Sequence, residues 1–217
     1  MRSERVGRPS SPPRAERSGA SAPPPTPKHP EALNAPLFHS IIEHLDEASR
    51  LVVLDLGRAR TETIAVFSGY RCRLEIGDIA DGIDALNAAP DAKTLREKVE
   101  ALLPAKRREP IDLVLCWDLL NYLSRPALAM LMDSIAARGR RGMLAHCLVF
   151  YSAPQMPAKP ACWVPLDGSR LINKEPAPPA RKAPRYTPED LGLCMPRYTV
   201  ERARLLRNGM QEYLFRL

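Results

Sequence analysis

Arg50-Leu51-Val52-Val53-Leu54-Asp55-Leu56-Gly57-Arg58-Ala59-Arg60-Thr61 is the stretch whose reading decides the fold. Leu51 to Leu54 form an unbroken apolar run, the pattern of a strand covered on both faces. Asp55 falls near the carboxyl end of that strand, where an open α/β sheet has its ligand crevice. Gly57 permits a sharp turn and a close approach of backbone to ligand. Thr61 can cap the helix that follows, whose free N–H groups then face the crevice. A structural βα turn with a surface aspartate satisfies the same residues, so one glycine does not decide between the two.

At 217 residues the chain holds one domain with a full core, plus tails. The hydrophobic share of 45% is that of a globular protein, whereas 23 prolines are too many for one compact body. No apolar stretch reaches the roughly 18 to 20 residues that span a bilayer, and the amino terminus has no apolar signal core. The expectation is a cytoplasmic protein with no membrane partner. The five cysteines are scattered and odd in number, with no CxxC pair, so neither a disulfide frame nor a zinc site is indicated. Cys72, Cys116 and Cys147 sit in apolar runs and read as small buried hydrophobes.

The net charge of +7 is uneven. Residues 1–30 carry six Lys or Arg against Glu4 and Glu16, so four of the seven excess charges belong to them. Residues 1–32 are otherwise Pro, Ser and Ala, cannot offset the entropy of ordering, and are predicted to be a disordered Pro/Arg-rich tail. Beyond that basic tail nothing points to nucleic acid.

From Pro36 the pattern becomes regular. A helix with Leu37, Phe38, Ile41, Ile42 and Leu45 on one face runs to about Ser49. After the strand at 51–56 comes a helix over 62–68, then a strand over 71–77 that ends in Asp78. An acid about 20 residues beyond a glycine turn, after the next strand, is placed to accept hydrogen bonds from a ribose; it can equally cap a helix or close a turn. Residues 82–103 read as two helical pieces broken at Pro90, the second capped by Asp91. Ile111 to Cys116 is a buried strand, followed by Trp117-Asp118-Leu119. Ser124 and Pro126 open a helix that Gly139 closes, and 142–151 is a further strand. Residues 152–185 are a long Pro-rich loop inside the domain, a length that marks either function or disorder. Thr187-Pro188-Glu189-Asp190 has the form of a capping box. Strands over 198–206 and 210–217 are joined by Asn208-Gly209, a hairpin signal.

This order of elements predicts an α/β fold: a three-layer sandwich with a mostly parallel Rossmann-like sheet, closed by a carboxyl-terminal antiparallel hairpin. Four stretches resemble the class I methyltransferases that use S-adenosylmethionine. LVVLDLG at 51–57 resembles their first motif, and GDIA at 77–80 the tip of their second strand. PIDLVLCWDLLNYL at 110–123 resembles the fourth-strand motif, and YTVERARLLRNGMQEYLFRL at 198–217 the closing hairpin. The resemblance covers about residues 36–217 and implies that the last strand enters beside strand five, burying Tyr213 and Phe215. It implies S-adenosylmethionine as cofactor, held by Asp55, Gly57, Arg58, Thr61 and Asp78, with Cys116, Trp117, Asp118 and Leu119 flanking the adenine or the methyl group. In this chain the first motif has one glycine where the family usually has two or three. A side chain at Ala59 narrows the place of the methionine part, and the family's third strand has no obvious counterpart before Ile111.

Methyl transfer from a sulfonium requires alignment and desolvation, and a base only where the acceptor loses a proton. The chain accordingly has no catalytic triad and needs none. Asp118, Asn121, Tyr122, His146 and Tyr151 are the polar candidates near the strand ends, although His146 inside an apolar run also suits a structural role. The acceptor, small molecule or protein, is not written in the sequence. Arg58 and Arg60 either close the cofactor pocket or bind an anion at the helix start. If they close it, the chain is a catalytically degenerate methyltransferase-fold protein acting as a binding or interaction module. A nicotinamide-binding protein is excluded by the missing GxGxxG and by the terminal hairpin.

Overall fold

The computed structural model describes residues 32–46, 48–175, 179–184 and 186–217. The tail predicted to be disordered falls, up to position 31, outside them. The elements are β1 (Leu33–Asn34), α1 (Pro36–Glu43), β2 (Leu51–Asp55), α2 (Thr61–Ser68), β3 (Cys72–Ile76), α3 (Ile83–Asn87), α4 (Ala92–Leu102), β4 (Ile111–Trp117), α5 (Arg125–Ala136) and β5 (Gly139–Phe150). They continue with β6 (Gln155–Pro157), β7 (Trp163–Pro165), β8 (Arg170–Asn173), β9 (Ala180–Lys182), α6 (Pro188–Cys194), β10 (Thr199–Leu205) and β11 (Met210–Arg216).

Six strands make the central sheet in the order β10-β11-β5-β4-β2-β3. The β3, β2, β4 and β5 pairings are parallel, and β11 joins β5 antiparallel with Tyr213 opposite Cys147. This is the layout that the family resemblance implies, including the last strand beside the fourth long parallel strand. Tyr213 and Phe215 are buried and stacked, their ring centroids 5.2 Å apart. No strand among the described residues stands between β3 and β4 in sequence: α3 and α4 fill that stretch. Val52, Val53 and Leu54 are consecutive and all buried, which only a strand covered on both faces allows. Helices α3, α5 and α4 pack on one another, α1 packs on the hairpin, and α2 on β3 and β7.

Several boundaries depart from the sequence reading. The first helix stops at Glu43 rather than near Ser49. The Asp46 carboxylate accepts the Ala48 N–H at 2.9 Å and the Ser49 hydroxyl at 2.6 Å, a local turn that competes with further helix. Gly139 does not close the helix at 125–136 but is already the first residue of β5. The described residues of 152–185 are not a plain loop: they supply β6 to β9, which with β1 make two small sheets, β1-β8-β7 and β6-β9. Leu33 and Asn34, just ahead of Pro36, pair with Leu171 and Arg170 and so tie the start of the described chain to this insertion. Asp91 caps α4, the capping box at Thr187 is complete with Asp190 as its reciprocal partner, and Gly209 takes φ +80° in the hairpin turn.

The start of α1 is held from far away. Pro36 occupies the first turn, and no side chain of α1 caps it. Instead the buried Glu212 of β11 accepts the Leu37 and Phe38 N–H groups at 2.9 and 2.8 Å. Its Oε1 also meets His146 Nε2 at 2.8 Å inside the sheet, which gives that histidine a structural partner.

Candidate functional site

The carboxyl ends of β2, β3 and β4 lie side by side, as parallel pairing requires. A cavity of about 310 Å³ opens there. Its floor is Gly57, Arg58, Trp117, Asp118 and Leu119, and one wall is Asp81, Ile83 and Asp84 after β3. The roof comes from the Pro-rich insertion, through residues 158–163, Glu175 and Arg181.

Asp55, the last residue of β2, is buried beneath this floor. Its Oδ1 accepts the Trp117 indole N–H at 2.6 Å and the Gly57 N–H at 2.8 Å, while Oδ2 has no partner. Burial pushes its carboxyl up to about 6 despite those two bonds. Gly57 is needed for a close approach, but what approaches is Trp117. A Cβ at position 57 would stand 2.8 Å from Trp117 Nε1 and 2.9 Å from its Cδ1. Trp117 itself has φ +49°, a left-handed backbone that an aromatic residue rarely adopts. The strained turn at the end of β4 therefore lays the indole over the glycine and onto Asp55. Phe38 and His146 back it, with ring centroids 6.2 and 6.4 Å away.

Asp118 is completely buried. Its Oδ2 accepts the Ala161 N–H at 3.1 Å and its Oδ1 has no hydrogen-bond partner. Burial pushes this carboxyl up to about 7, against the opposing pull of the Ala161 N–H and, more weakly, the Trp163 indole. Tyr122 turns its hydroxyl to the carbonyls of Pro157 and Lys159, both at 3.0 Å, and the Arg181 guanidinium lies 4.8 Å over its ring.

Arg58 is fully engaged. Its guanidinium meets Glu175 at 2.9 Å, Asp81 at 3.2 Å and Asp78 at 4.0 Å. Arg60 also reaches Glu175 at 2.9 Å, and Lys174 reaches Glu62 at 2.8 Å. The two arginines thus fasten the insertion across the start of α2. These pairs are partly exposed, so each contributes little on its own.

The sequence-derived site residues fall into two sets. Gly57, Arg58, Trp117, Asp118 and Leu119 meet on the cavity surface. Asp55 lies under it, and Asp78, with φ +30° and an unpartnered Oδ1, stands beside it next to Arg58. Cys116 is buried within the sheet near Cys147, whose thiol burial pushes up, and it is not among the lining residues. Thr61 does not cap α2: Arg60 holds the cap position with no side-chain bond, and the Thr61 hydroxyl turns to Glu62 at 3.3 Å. Ala59 is exposed and lines nothing, so the crowding at this motif comes from Trp117 and not from a side chain at 59. The roof residues Lys159, Trp163, Glu175 and Arg181 were not singled out from sequence. The one signal for them was Trp163, one of only two tryptophans, standing in a proline-rich stretch.

No family model matches this chain, and no curated protein matches it. Solved structures resemble it in part. The pyocyanin biosynthetic protein PhzM is 15% identical over 82% of this chain, with a TM-score of 0.45, and the chain spans about half of that protein's length (53%). The Burkholderia thailandensis 1,6-didemethyltoxoflavin-N1-methyltransferase, solved with its substrate and S-adenosylhomocysteine, is 19% identical over 83% of this chain and 76% of its own, with a TM-score of 0.47. The glycopeptide N-methyltransferase MtfA, solved with S-adenosyl-L-methionine, is 14% identical over 89% of this chain and 99% of its own, also with a TM-score of 0.47. At these identities and TM-scores the likenesses carry no residue-by-residue meaning.

Proposed function

We propose that the chain is an S-adenosylmethionine-dependent methyltransferase working in the cavity at the ends of β2 and β4, on an acceptor admitted beneath the insertion. The observation that carries this reading is the cavity itself, set where the first strand turns through Gly57 and bounded by acids after β3. The residues fit the cofactor in part. Asp78 Oδ1, without a hydrogen bond and with Arg58 Nε 4.0 Å away, would take the ribose hydroxyls. The Gly57 backbone, Asp118 and Leu119 would flank the remainder. When bound, the cofactor supplies an already activated methyl group, so the chain's task is to align the acceptor and exclude water. Asp118 is the buried carboxylate able to take a proton at Oδ1 where the acceptor must lose one. The reading assigns this work to the cytoplasm and to the chain from Leu33 onward, without the basic tail.

One observation favours a second reading, a methyltransferase fold kept as a binding module: the Trp117 indole occupies the cradle over Gly57. Calorimetric titration with S-adenosylhomocysteine separates the two. Wild type is expected to bind. Trp117→Gly, at a backbone angle suited to glycine, is expected to bind at least about tenfold tighter, which corresponds to roughly 1.4 kcal/mol. No heat from either protein at millimolar ligand replaces the enzyme reading with the binding module.

A further inference from the structure

The half of the cavity under the insertion has its own chemistry. Its surfaces include the rings of Trp117, Trp163 and Tyr122, the last with Arg181 over one face at 4.8 Å, and both tryptophans of the chain are among them. Flat aromatic walls select flat apolar ligands. Two polar atoms there are buried and unsatisfied: Asp118 Oδ1 and the Trp163 indole nitrogen. A buried carboxylate oxygen left without a partner is costly, and a hydrogen-bond donor from a ligand removes that cost. Three neighbouring polar groups are already committed. The Tyr122 hydroxyl serves two carbonyls, Asp118 Oδ2 serves Ala161, and Glu175 serves two arginines. Asp118 Oδ1 is therefore a buried acceptor of this half without a full hydrogen bond, with the Trp163 indole N–H near its carboxyl and Asp84, Lys159 and Arg181 elsewhere on the lining.

We propose that this half of the cavity binds a neutral, planar aromatic compound bearing a ring hydroxyl or ring N–H, anchored by that group's hydrogen on Asp118 Oδ1. This deepens the proposed function, on which it rests, by naming the acceptor class. The donor requirement distinguishes it from a generic apolar pocket. A ligand of the same shape with its hydrogen replaced by methyl leaves Oδ1 unsatisfied and adds bulk against it. Sites built to receive a hydrogen bond reject analogues that lack the donor. The whole cavity is about 310 Å³, so this half suits a compound of no more than two rings. The same geometry fixes the effect of Asp118→Asn on the site. Only the variant's amide oxygen can accept the Ala161 N–H, so its NH2 group turns to the cavity and the site becomes a donor.

The test uses 2-naphthol, 2-methoxynaphthalene and S-adenosylhomocysteine, titrated separately by calorimetry at pH 8 into the full chain. Wild type is expected to bind 2-naphthol at least about tenfold tighter than its methyl ether, and Asp118→Asn to lose or reverse that preference. Equal affinity for the two naphthalenes in wild type, or no binding of either, overturns the proposal without any variant being needed. An unchanged preference in folded Asp118→Asn overturns it as well. The cofactor arm reads the other claim. Selective 2-naphthol binding with no S-adenosylhomocysteine heat keeps the donor-selective pocket while the methyltransferase reading falls. Binding of S-adenosylhomocysteine without naphthalene discrimination leaves that reading standing and removes this one.

Discussion

Trp117 and Asp55 are joined by an indole-to-carboxylate hydrogen bond of 2.6 Å that crosses from β4 to β2 beneath the cavity. It makes the glycine turn, the strained end of β4 and the buried acid one unit. Replacing Trp117 by Phe keeps an aromatic ring and removes the N–H. Asp55 Oδ1 then has the Gly57 N–H alone. A hydrogen bond to a charged group contributes on the order of 1.5–3 kcal/mol, so Trp117→Phe is expected to lose about that much at pH 8. The loss shrinks at pH 5, below the Asp55 value of about 6, where the carboxyl is neutral. Urea unfolding at both pH values measures it, and an equal loss at both contradicts the role given to the N–H.

Gly57→Ala attacks the same unit from the other side. Its Cβ would fall 2.8 Å from Trp117 Nε1, so the indole or the turn must move. Overpacking of this kind typically costs about 1–3 kcal/mol. The shift also separates the indole from Asp55, so tryptophan emission should change in the folded state. An unchanged melting temperature and spectrum would show that the turn is looser than its packing indicates.

Asp55 and Asp118 together set a pH dependence. Burial raises their carboxyls to about 6 and about 7 from an ordinary 3.8. The folded chain then holds protons that the unfolded chain releases, so their contribution to stability is full below about pH 4. It is lost as pH rises through 6 and 7, and flat above that. Asp118→Asn is expected to melt higher than wild type at pH 8 and equally at pH 4. Melting curves over that range decide it, and a constant offset at all pH values would mean that the effect of the variant is not one of ionisation.

Glu212→Ala leaves the Leu37 and Phe38 N–H groups and His146 Nε2 without their common partner. Each buried polar group left unpaired costs about 1–3 kcal/mol, so the loss should reach several kcal/mol. Glu212→Gln retains an acceptor and should lose less. Denaturant titration ranks the two, and amide exchange at Leu37 and Phe38 should rise in the alanine variant first. Protection unchanged at those two amides would remove Glu212 from its capping role.

The middle of the sheet was legible because its strands are largely buried on both faces, and such runs stand out in sequence: those at 51–54, 111–116 and 142–150 lie in β2, β4 and β5, whereas half-buried β3 and exposed β10 stand at the edges. The hairpin was legible from Asn208-Gly209, since few residues other than glycine take φ +80° there. The first helix was read too long because its apolar face continues to Leu45 while the chain turns at Asp46. The site was legible in one half only. Gly57, Asp55 and Asp118 sit at strand ends, where position follows from topology. That Trp117 folds back over Gly57 depends on a left-handed backbone angle at residue 117, and nothing in a one-dimensional pattern marks it. The roof was hidden for a different reason. Strands of three or four residues among prolines have no detectable period, and β8 finds its partner β1 far away in sequence.

That Glu212 seats the first helix has a consequence in time. The two are separated by 175 positions, so as the chain is synthesised α1 emerges long before its carboxylate. A helix of eight residues does not hold itself together in water. Until β11 arrives, the Leu37 and Phe38 N–H groups have no carboxylate to seat them, although Phe38 can already pack against Trp117 and His146. Helix α1 is thus made well before its start can be seated. Variants lacking β11 should therefore leave the start of α1 unseated and aggregate through that helix.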